Sequence, residues 1–212
     1  MQKKSIIRGG VEGLRPADTR ARGTPTCARG TPPSAPRRRL VFAAAALAAG
    51  CSTPGIKLDA PYVSTPPDVV REMLALARVG PHDVLYDLGC GDGRIVITAA
   101  TERGARGVGI DLDPARIAQA NAGAQRAGVN VRVRFVVQDL FQTDFSEASV
   151  VSLYLFPEMN ARLKPKFLAE LKPGSRVVSH EFGIGDWAPA DGRTVETNGR
   201  RHQIWLYLVP PK

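Results

Sequence analysis

From Pro66 onward the chain switches repeatedly between two hydrophobic periodicities. Val69, Val70, Met73, Leu74, Leu76 and Ala77 recur at the spacing of one helix face; Pro66-Pro67-Asp68 opens that helix and Gly80-Pro81 ends it. Asp83 to Leu88 is a short apolar strand running into a glycine-rich turn, and Arg94 to Arg103 reads as the next helix. Gly107 to Asp111 forms a second strand. Asp113-Pro114 caps and starts a helix reaching about Ala127, because proline's fixed φ suits the first helical position. Val131 to Val137, with Arg132 and Arg134 alternating, is the third strand. Ser149 to Phe156 is the fourth, nearly all apolar, as expected of a strand covered on both faces. A helix from about Glu158 to Leu171 is stopped by Lys172-Pro173-Gly174, and Ser175 to Phe182 is the fifth strand. Arg193 to Thr197 and Gln203 to Val209 pair antiparallel through the Asn198-Gly199 turn. Strands alternating with helices predict an α/β fold. The sheet is doubly wound and mostly parallel, with helices on both faces and antiparallel strands appended at the C-terminus.

The first 51 residues follow neither periodicity. Residues 1–36 are rich in Gly, Pro, Arg and Thr and cannot bury enough apolar surface to offset their ordering entropy, so disorder is expected there. Arg37-Arg38-Arg39 then precedes an 11-residue apolar run, Leu40 to Gly50. A bilayer-crossing helix needs about 20 residues, so the run is too short to span. Positive residues, a short apolar stretch and small residues at its end make residues 37–51 signal-peptide-like. Ala48-Ala49-Gly50-Cys51 resembles a bacterial lipobox, and Arg37-Arg38-Arg39-Leu40-Val41 resembles a twin-arginine export signal. The expectation is an exported or membrane-anchored protein attached through a lipidated Cys51, with a cytoplasmic protein as the alternative. The organisation is then leader (1–51), linker (52–61) and domain (62–212).

Charge follows the same division. The formal charge of +9 would ordinarily suggest nucleic acid or an anionic membrane as partner. Residues 1–51 hold 10 Lys/Arg against 2 Asp/Glu, whereas residues 52–212 hold 19 against 18. A nearly neutral domain carries no electrostatic footprint for nucleic acid. Cys27, Cys51 and Cys90 form no CxxC pair, and His82, His180 and His202 are scattered along the chain, so no metal site is expected. Cys90 reads as a small residue filling a tight turn.

Candidate chemistry gathers where ligands bind in doubly wound sheets, beyond the carboxyl ends of the strands. The first strand delivers Asp87-x-Gly89-x-Gly91-x-Gly93. Glycines there permit positive φ and close approach of backbone to ligand. The nicotinamide fingerprint G-x-G-x-x-G fails, since Arg94 stands where its third glycine belongs. Asp111 ends the second strand, 24 residues after Asp87, placed to accept from both hydroxyls of a ribose. Asp139 follows the third strand, with Leu140 beside it, placed to accept from an adenine amine. Three acidic residues at three successive strand ends mark a site more strongly than one glycine loop does.

These residues resemble those of the class I, seven-strand S-adenosylmethionine-dependent methyltransferases, over Tyr62 to Val209. The resemblance implies S-adenosyl-L-methionine as cofactor. It places Asp87, Gly89, Gly91 and Gly93 around the methionine portion, Asp111 on the ribose, and Asp139 and Leu140 by the adenine. Tyr62-Val63-Ser64-Thr65-Pro66, Val151 to Pro157 and Ser179-His180-Glu181-Phe182 narrow it. They look like the protein-lysine methyltransferases of mitochondrial adenine nucleotide translocase and ATP synthase c-subunit, which implies Tyr62 and Thr65 at the methionine end and a lysine acceptor. The fourth strand lacks the Asn/Asp-Pro-Pro-Tyr ending of enzymes that methylate adenine or amide nitrogens. Tyr154, Phe156 and Trp187 are candidate walls of an acceptor channel. Tyr154, Glu158 and Glu181 are candidate catalytic residues, with Glu158 or Glu181 receiving or orienting the proton. Against this stand stronger readings: Tyr154 and Phe156 as core, Glu158 as a first-turn helix charge and Glu181 as a solvated strand end. A small-molecule methyltransferase and a non-catalytic cofactor-binding lipoprotein remain as alternatives.

Overall fold

The structure, a computed structural model, describes residues 63–212. The leader, the linker, Cys27, Cys51 and Tyr62 lie outside the described residues. In chain order the elements are α1 (Pro67–Leu76), β1 (Val84–Leu88), α2 (Arg94–Arg103), β2 (Arg106–Asp111), α3 (Pro114–Arg126), β3 (Val133–Val137), β4 (Val150–Leu153), α4 (Pro157–Glu170), β5 (Arg176–His180), β6 (Asp191–Thr197) and β7 (Arg200–Leu208), with a 3-10 turn at Leu140–Gln142.

All seven strands form one sheet in the order β3-β2-β1-β4-β5-β7-β6. Strands β1 to β5 are parallel, and β7 runs antiparallel to both β5 and β6. The doubly wound expectation holds, with one refinement: the last strand is not appended at the edge but inserts between β5 and β6. The Asn198-Gly199 turn joining these two strands has φ of 53° and 70°, the double positive φ of a type I′ hairpin.

Side chains alternate across the sheet into two cores. Leu85, Val150, Val178 and Ile204 face one side, packed with apolar residues of α1, α2 and α3. Tyr86, Val151, Val177 and Tyr207 face the other, under Leu163 and Phe167 of α4. All four β4 residues are buried, the polar Ser152 among them, as expected of a strand covered on both faces. Asp113 caps α3 as expected, its side chain accepting from the Ala115 amide at 2.8 Å.

Two strands end earlier than their composition suggests. β4 stops at Leu153, leaving Tyr154, Leu155 and Phe156 as a connection into α4. β5 stops at His180, because Glu181 takes a left-handed φ of 64° that no strand can continue.

Candidate active site

β1 lies inside the sheet, with β2 on one side and β4 on the other, so the chain order reverses between β1 and β4. A crevice opens there beyond the strand ends. The glycine loop after β1 is pinned to the end of β2: the amides of Gly89 and Cys90 both donate to the Ile110 carbonyl at 2.9 Å. Gly93 ends the loop at a φ of 77° and begins α2. A Cβ on it would come within 2.6 Å of the Phe135 ring and 2.8 Å of Ala120, so the close seating of α2 over β2 and β3 demands glycine. Cys90 is buried as the sequence implied, its sulfur over Gly109, where an added Cβ would lie 2.8 Å away.

Asp87 is only 3% exposed, yet it lines the crevice. Ser152, fully buried on the neighbouring β4, donates its hydroxyl to Asp87 Oδ1 at 2.7 Å. Burial pushes the Asp87 carboxyl up to about 7, the Ser152 hydrogen bond pulls it back, and the nearby Asp111 and Asp92 push it further up. Such a group, held with one hydroxyl donor beside other carboxylates, is poised for a cation.

Asp111 is fixed by two backbone donors. Gly91 N–H gives to Oδ2 and Asp113 N–H to Oδ1, both at 2.9 Å, so one carboxylate fastens the glycine loop and orients itself. Asp139 caps the 3-10 turn, accepting from the Phe141 amide at 2.9 Å. Asp87, Asp111, Asp139 and Leu140 all line the same crevice. One buried carboxylate, two half-buried ones with acceptor capacity left, and a glycine loop against them fit a ligand with a cationic end, a diol and an amine. S-adenosyl-L-methionine has all three.

The opposite wall comes from the N-terminal segment and the β4–α4 connection. Thr65 is buried; its carbonyl accepts from Arg94 at 3.0 Å and its hydroxyl meets His180 Nδ1 at 3.2 Å. Arg94 also pairs with Asp92 at 2.5 Å, which ties this wall to the glycine loop. Tyr154 lines the crevice, its ring 4.0 Å from that of His180 between centroids. Burial, then the Glu181 charge, holds the Tyr154 phenol above its usual range, so it stays neutral at physiological pH.

The remaining sequence candidates are placed elsewhere. Glu158 is exposed on the first turn of α4, where its charge suits the helix N-terminus, and it does not line the crevice. Trp187 packs at a tilt against Tyr207, ring centroids 5.3 Å apart, and borders the core under α4 rather than a channel. Phe156 is 41% exposed, beside Phe182. Glu181 is not a solvated strand end: its carboxylate is 15% exposed and lies 3.0 Å from His202 Nδ1. His180 and His202, far apart in sequence, meet at 3.0 Å because β5 and β7 pair. Burial first, then His202 and Arg200, depress the His180 imidazole to about 3, leaving it neutral. The reading of these histidines as scattered is therefore corrected. Only the strand pairing joins them, and no local pattern carries that pairing. Ser152 was likewise missed, although a lone serine in an otherwise apolar strand was a usable signal.

Residues 87–191 match the family model described as the ANTKMT methyltransferase domain. A protein-lysine N-methyltransferase of Saccharolobus islandicus (strain REY15A) is 47% identical over 150 residues, 70% of this chain and 93% of that protein. An adenine nucleotide translocase lysine N-methyltransferase of Mus musculus is 36% identical over 73% of this chain; the match spans 65% of that protein's length. A crystal structure described as an RNA methyltransferase from Salinibacter ruber, in complex with S-adenosyl-L-homocysteine, is 50% identical. It superposes with a TM-score of 0.66, over 71% of this chain and 95% of that one.

Proposed function

The chain belongs to the S-adenosylmethionine-dependent methyltransferases of the ANTKMT domain family, and on that premise we propose that it methylates the ε-amine of lysine in a protein. The observation that carries the proposal is the 47% identity across 93% of a protein-lysine N-methyltransferase. S-adenosyl-L-methionine, when bound, supplies a methyl group already activated by its sulfonium.

The protein's own work is binding, orientation and exclusion of water. Asp87 offers a buried negative charge, Asp111 and Asp139 offer acceptors oriented by backbone donors, and the loop glycines admit close approach. Tyr154, Leu155, Phe141 and Met159 give the other side of the crevice an apolar and aromatic lining. An amine entering there is desolvated, which favours its neutral, nucleophilic form. Tyr154, itself neutral, can orient that amine but is too weak an acid to be present as phenolate. Glu158 and Glu181 lie off the crevice, so the amine proton is best lost to solvent before the acceptor seats.

The Salinibacter ruber relative favours RNA as a second reading. The balance of 19 Lys/Arg against 18 Asp/Glu in residues 52–212 speaks against it, since phosphate binding needs an excess of positive charge. Incubating the purified protein with methyl-labelled S-adenosylmethionine and lysate separates the readings. Protease-sensitive label recovered as methyl-lysine is expected. Label removed by ribonuclease, or found only in dialysable material, overturns the lysine reading in favour of RNA or a small molecule.

The leader adds a second proposal, that the protein is exported and anchored through a lipidated Cys51. It rests on Arg37 to Cys51 alone. Cell fractionation with mass spectrometry of the N-terminus tests it: an acylated Cys51 is expected, and a soluble protein with intact Met1 overturns it.

A further inference from the structure

Three potential ligand atoms converge behind the acceptor wall: His180 Nε2, His202 Nδ1 and Glu181 Oε1, each within 4.8 Å of the others. Their separations are 3.0 Å between the two imidazole nitrogens, 3.0 Å from His202 to Glu181, and 3.7 Å from His180 to Glu181. A tetrahedral ion with bonds of 2.0–2.1 Å has ligand–ligand edges of about 3.3 Å. Each edge of the observed triangle lies within about 0.4 Å of that length, so small side-chain adjustments bring it to one face of such a tetrahedron.

Proton counting points the same way. His202 Nδ1 faces both His180 Nε2 and the Glu181 carboxylate, and a ring nitrogen is either a donor or an acceptor. If it carries the proton and donates to Glu181, it has no lone pair to accept from His180. If it accepts from His180, its lone pair faces the carboxylate. With neutral rings, no tautomer gives both 3.0 Å contacts of His202 Nδ1 a full hydrogen bond of their own. Consistent with this, Glu181 Oε1 is a buried oxygen with no hydrogen-bond donor. A cation at the convergence point satisfies all three.

Two further features suit a built site. Glu181 holds a left-handed φ of 64°, and its amide donates to the Gln203 carbonyl at 2.7 Å. For a non-glycine residue that backbone costs about 1–2 kcal/mol, and here it turns the carboxylate back towards β7. His180 places its other nitrogen, Nδ1, 3.2 Å from the Thr65 hydroxyl. An outer hydrogen bond of this kind fixes the tautomer of a metal-binding histidine.

We propose that His180, Glu181 and His202 bind one divalent transition-metal ion of the Zn2+ class. Two imidazoles and one carboxylate are a donor set suited to zinc, with a fourth position left for water. Arg200 Nη2 lies 3.7 Å from Glu181 Oε1 on a side chain that is 65% exposed, so the guanidinium can swing into solvent as the ion enters. The ion would clamp the end of β5 to β7. It would thereby hold His180 beneath Tyr154 and against Thr65, two residues of the crevice wall. Its role is positioning, not Lewis-acid chemistry on the methyl acceptor.

The test uses the full chain, stripped with chelator and then titrated with Zn2+ or Co2+. Elemental analysis is expected to return one ion per chain after dialysis. Bound Co2+ is expected to show the visible absorption of four-coordinate cobalt, and Zn2+ to raise the melting temperature. Glu181→Gln nearly conserves shape; its circular dichroism and melting point in chelator establish that it is folded. It should weaken Zn2+ affinity by more than about 100-fold, whereas Thr65→Val, which removes only the outer partner, should cost about 10–100-fold. A folded wild-type chain that retains no ion, or a folded Glu181→Gln variant that binds Zn2+ as tightly as wild type, overturns the proposal.

Discussion

With Asp87 in the proposed cofactor site, the affinity for S-adenosylmethionine is expected to depend on pH around neutrality. Its carboxyl is held near 7 by burial, with Asp111 and Asp92 adding repulsion and Ser152 partly offsetting both. A bound cation repels the proton, so the liganded protein carries Asp87 ionised while the free protein is only partly so. At pH 6 about one free molecule in eleven has the charge, and at pH 8 about ten in eleven. Affinity should therefore rise about tenfold between pH 6 and pH 8, about 1.4 kcal/mol, and level off above. Isothermal titration calorimetry across that range measures it directly. Repeating the titrations in buffers of different ionisation enthalpy should reveal proton release at pH 6 and almost none at pH 8.

Asp87→Asn keeps the shape and the Ser152 contact but removes the charge. Its affinity should be low throughout and should lack the wild-type inflection near 7. The comparison subtracts any titration of the ligand itself, which both proteins share. An Asp87→Asn profile that parallels wild type would refute the assignment of the pH dependence to this carboxylate.

Other consequences are equally measurable. In chelator-treated, ligand-free protein, Asp87 binds its proton more tightly folded than unfolded. It contributes stability that is complete below about pH 4 and lost as pH rises to about 7. His180, lowered to about 3, acts oppositely over part of that range, so the clean readout is the stability of Asp87→Asn relative to wild type by urea unfolding. That difference should swing in favour of the variant by a few kcal/mol between pH 5 and pH 8, and a constant difference would rule the linkage out. Ser152→Ala removes the hydrogen bond that lowers Asp87, so the binding inflection should move to higher pH; an unchanged midpoint would contradict the role given to Ser152. Asp111→Ala should weaken S-adenosylmethionine binding by about 1–3 kcal/mol, the usual cost of losing a charged hydrogen-bond partner, and calorimetry showing unchanged affinity would remove it from the site. Gly93→Ala combines a positive φ with a Cβ 2.6 Å from Phe135, and should cost at least about 2 kcal/mol in unfolding free energy; an unaltered urea midpoint would disprove that strain.

The elements were legible because their signals are local. The stripe Val69 to Ala77, the Asp113-Pro114 cap and the Asn198-Gly199 turn each act within about one element's length, and all three stand where the sequence puts them. The acidic side of the site was legible for a related reason. In a parallel doubly wound sheet every strand delivers its C-terminal residue to the same edge, so Asp87, Asp111 and Asp139 converge without knowledge of long-range pairing. Strand ends were the weak point. Apolarity continues through Tyr154, Leu155 and Phe156, and only the start of α4 at Pro157, beyond that connection, shows that β4 has stopped.

The opposite wall has the reverse character, which explains why the catalytic candidates fared unevenly. Thr65 reaches His180 across 115 residues, and His180 reaches His202 only through the β5–β7 pairing. Glu158 was attractive as a carboxylate near an apolar strand end, but one turn of helix carries it to solvent, whereas Glu181 turns inward through a left-handed residue that no composition signals. The two walls therefore answer to different constraints. The acidic wall is set by strand register and must be kept wherever the cofactor is kept. In the opposite wall His180 depends on where the C-terminal hairpin docks, Thr65 is also held by Arg94, and Tyr154 follows β4, so this wall is assembled by long-range contacts rather than by the register of one strand.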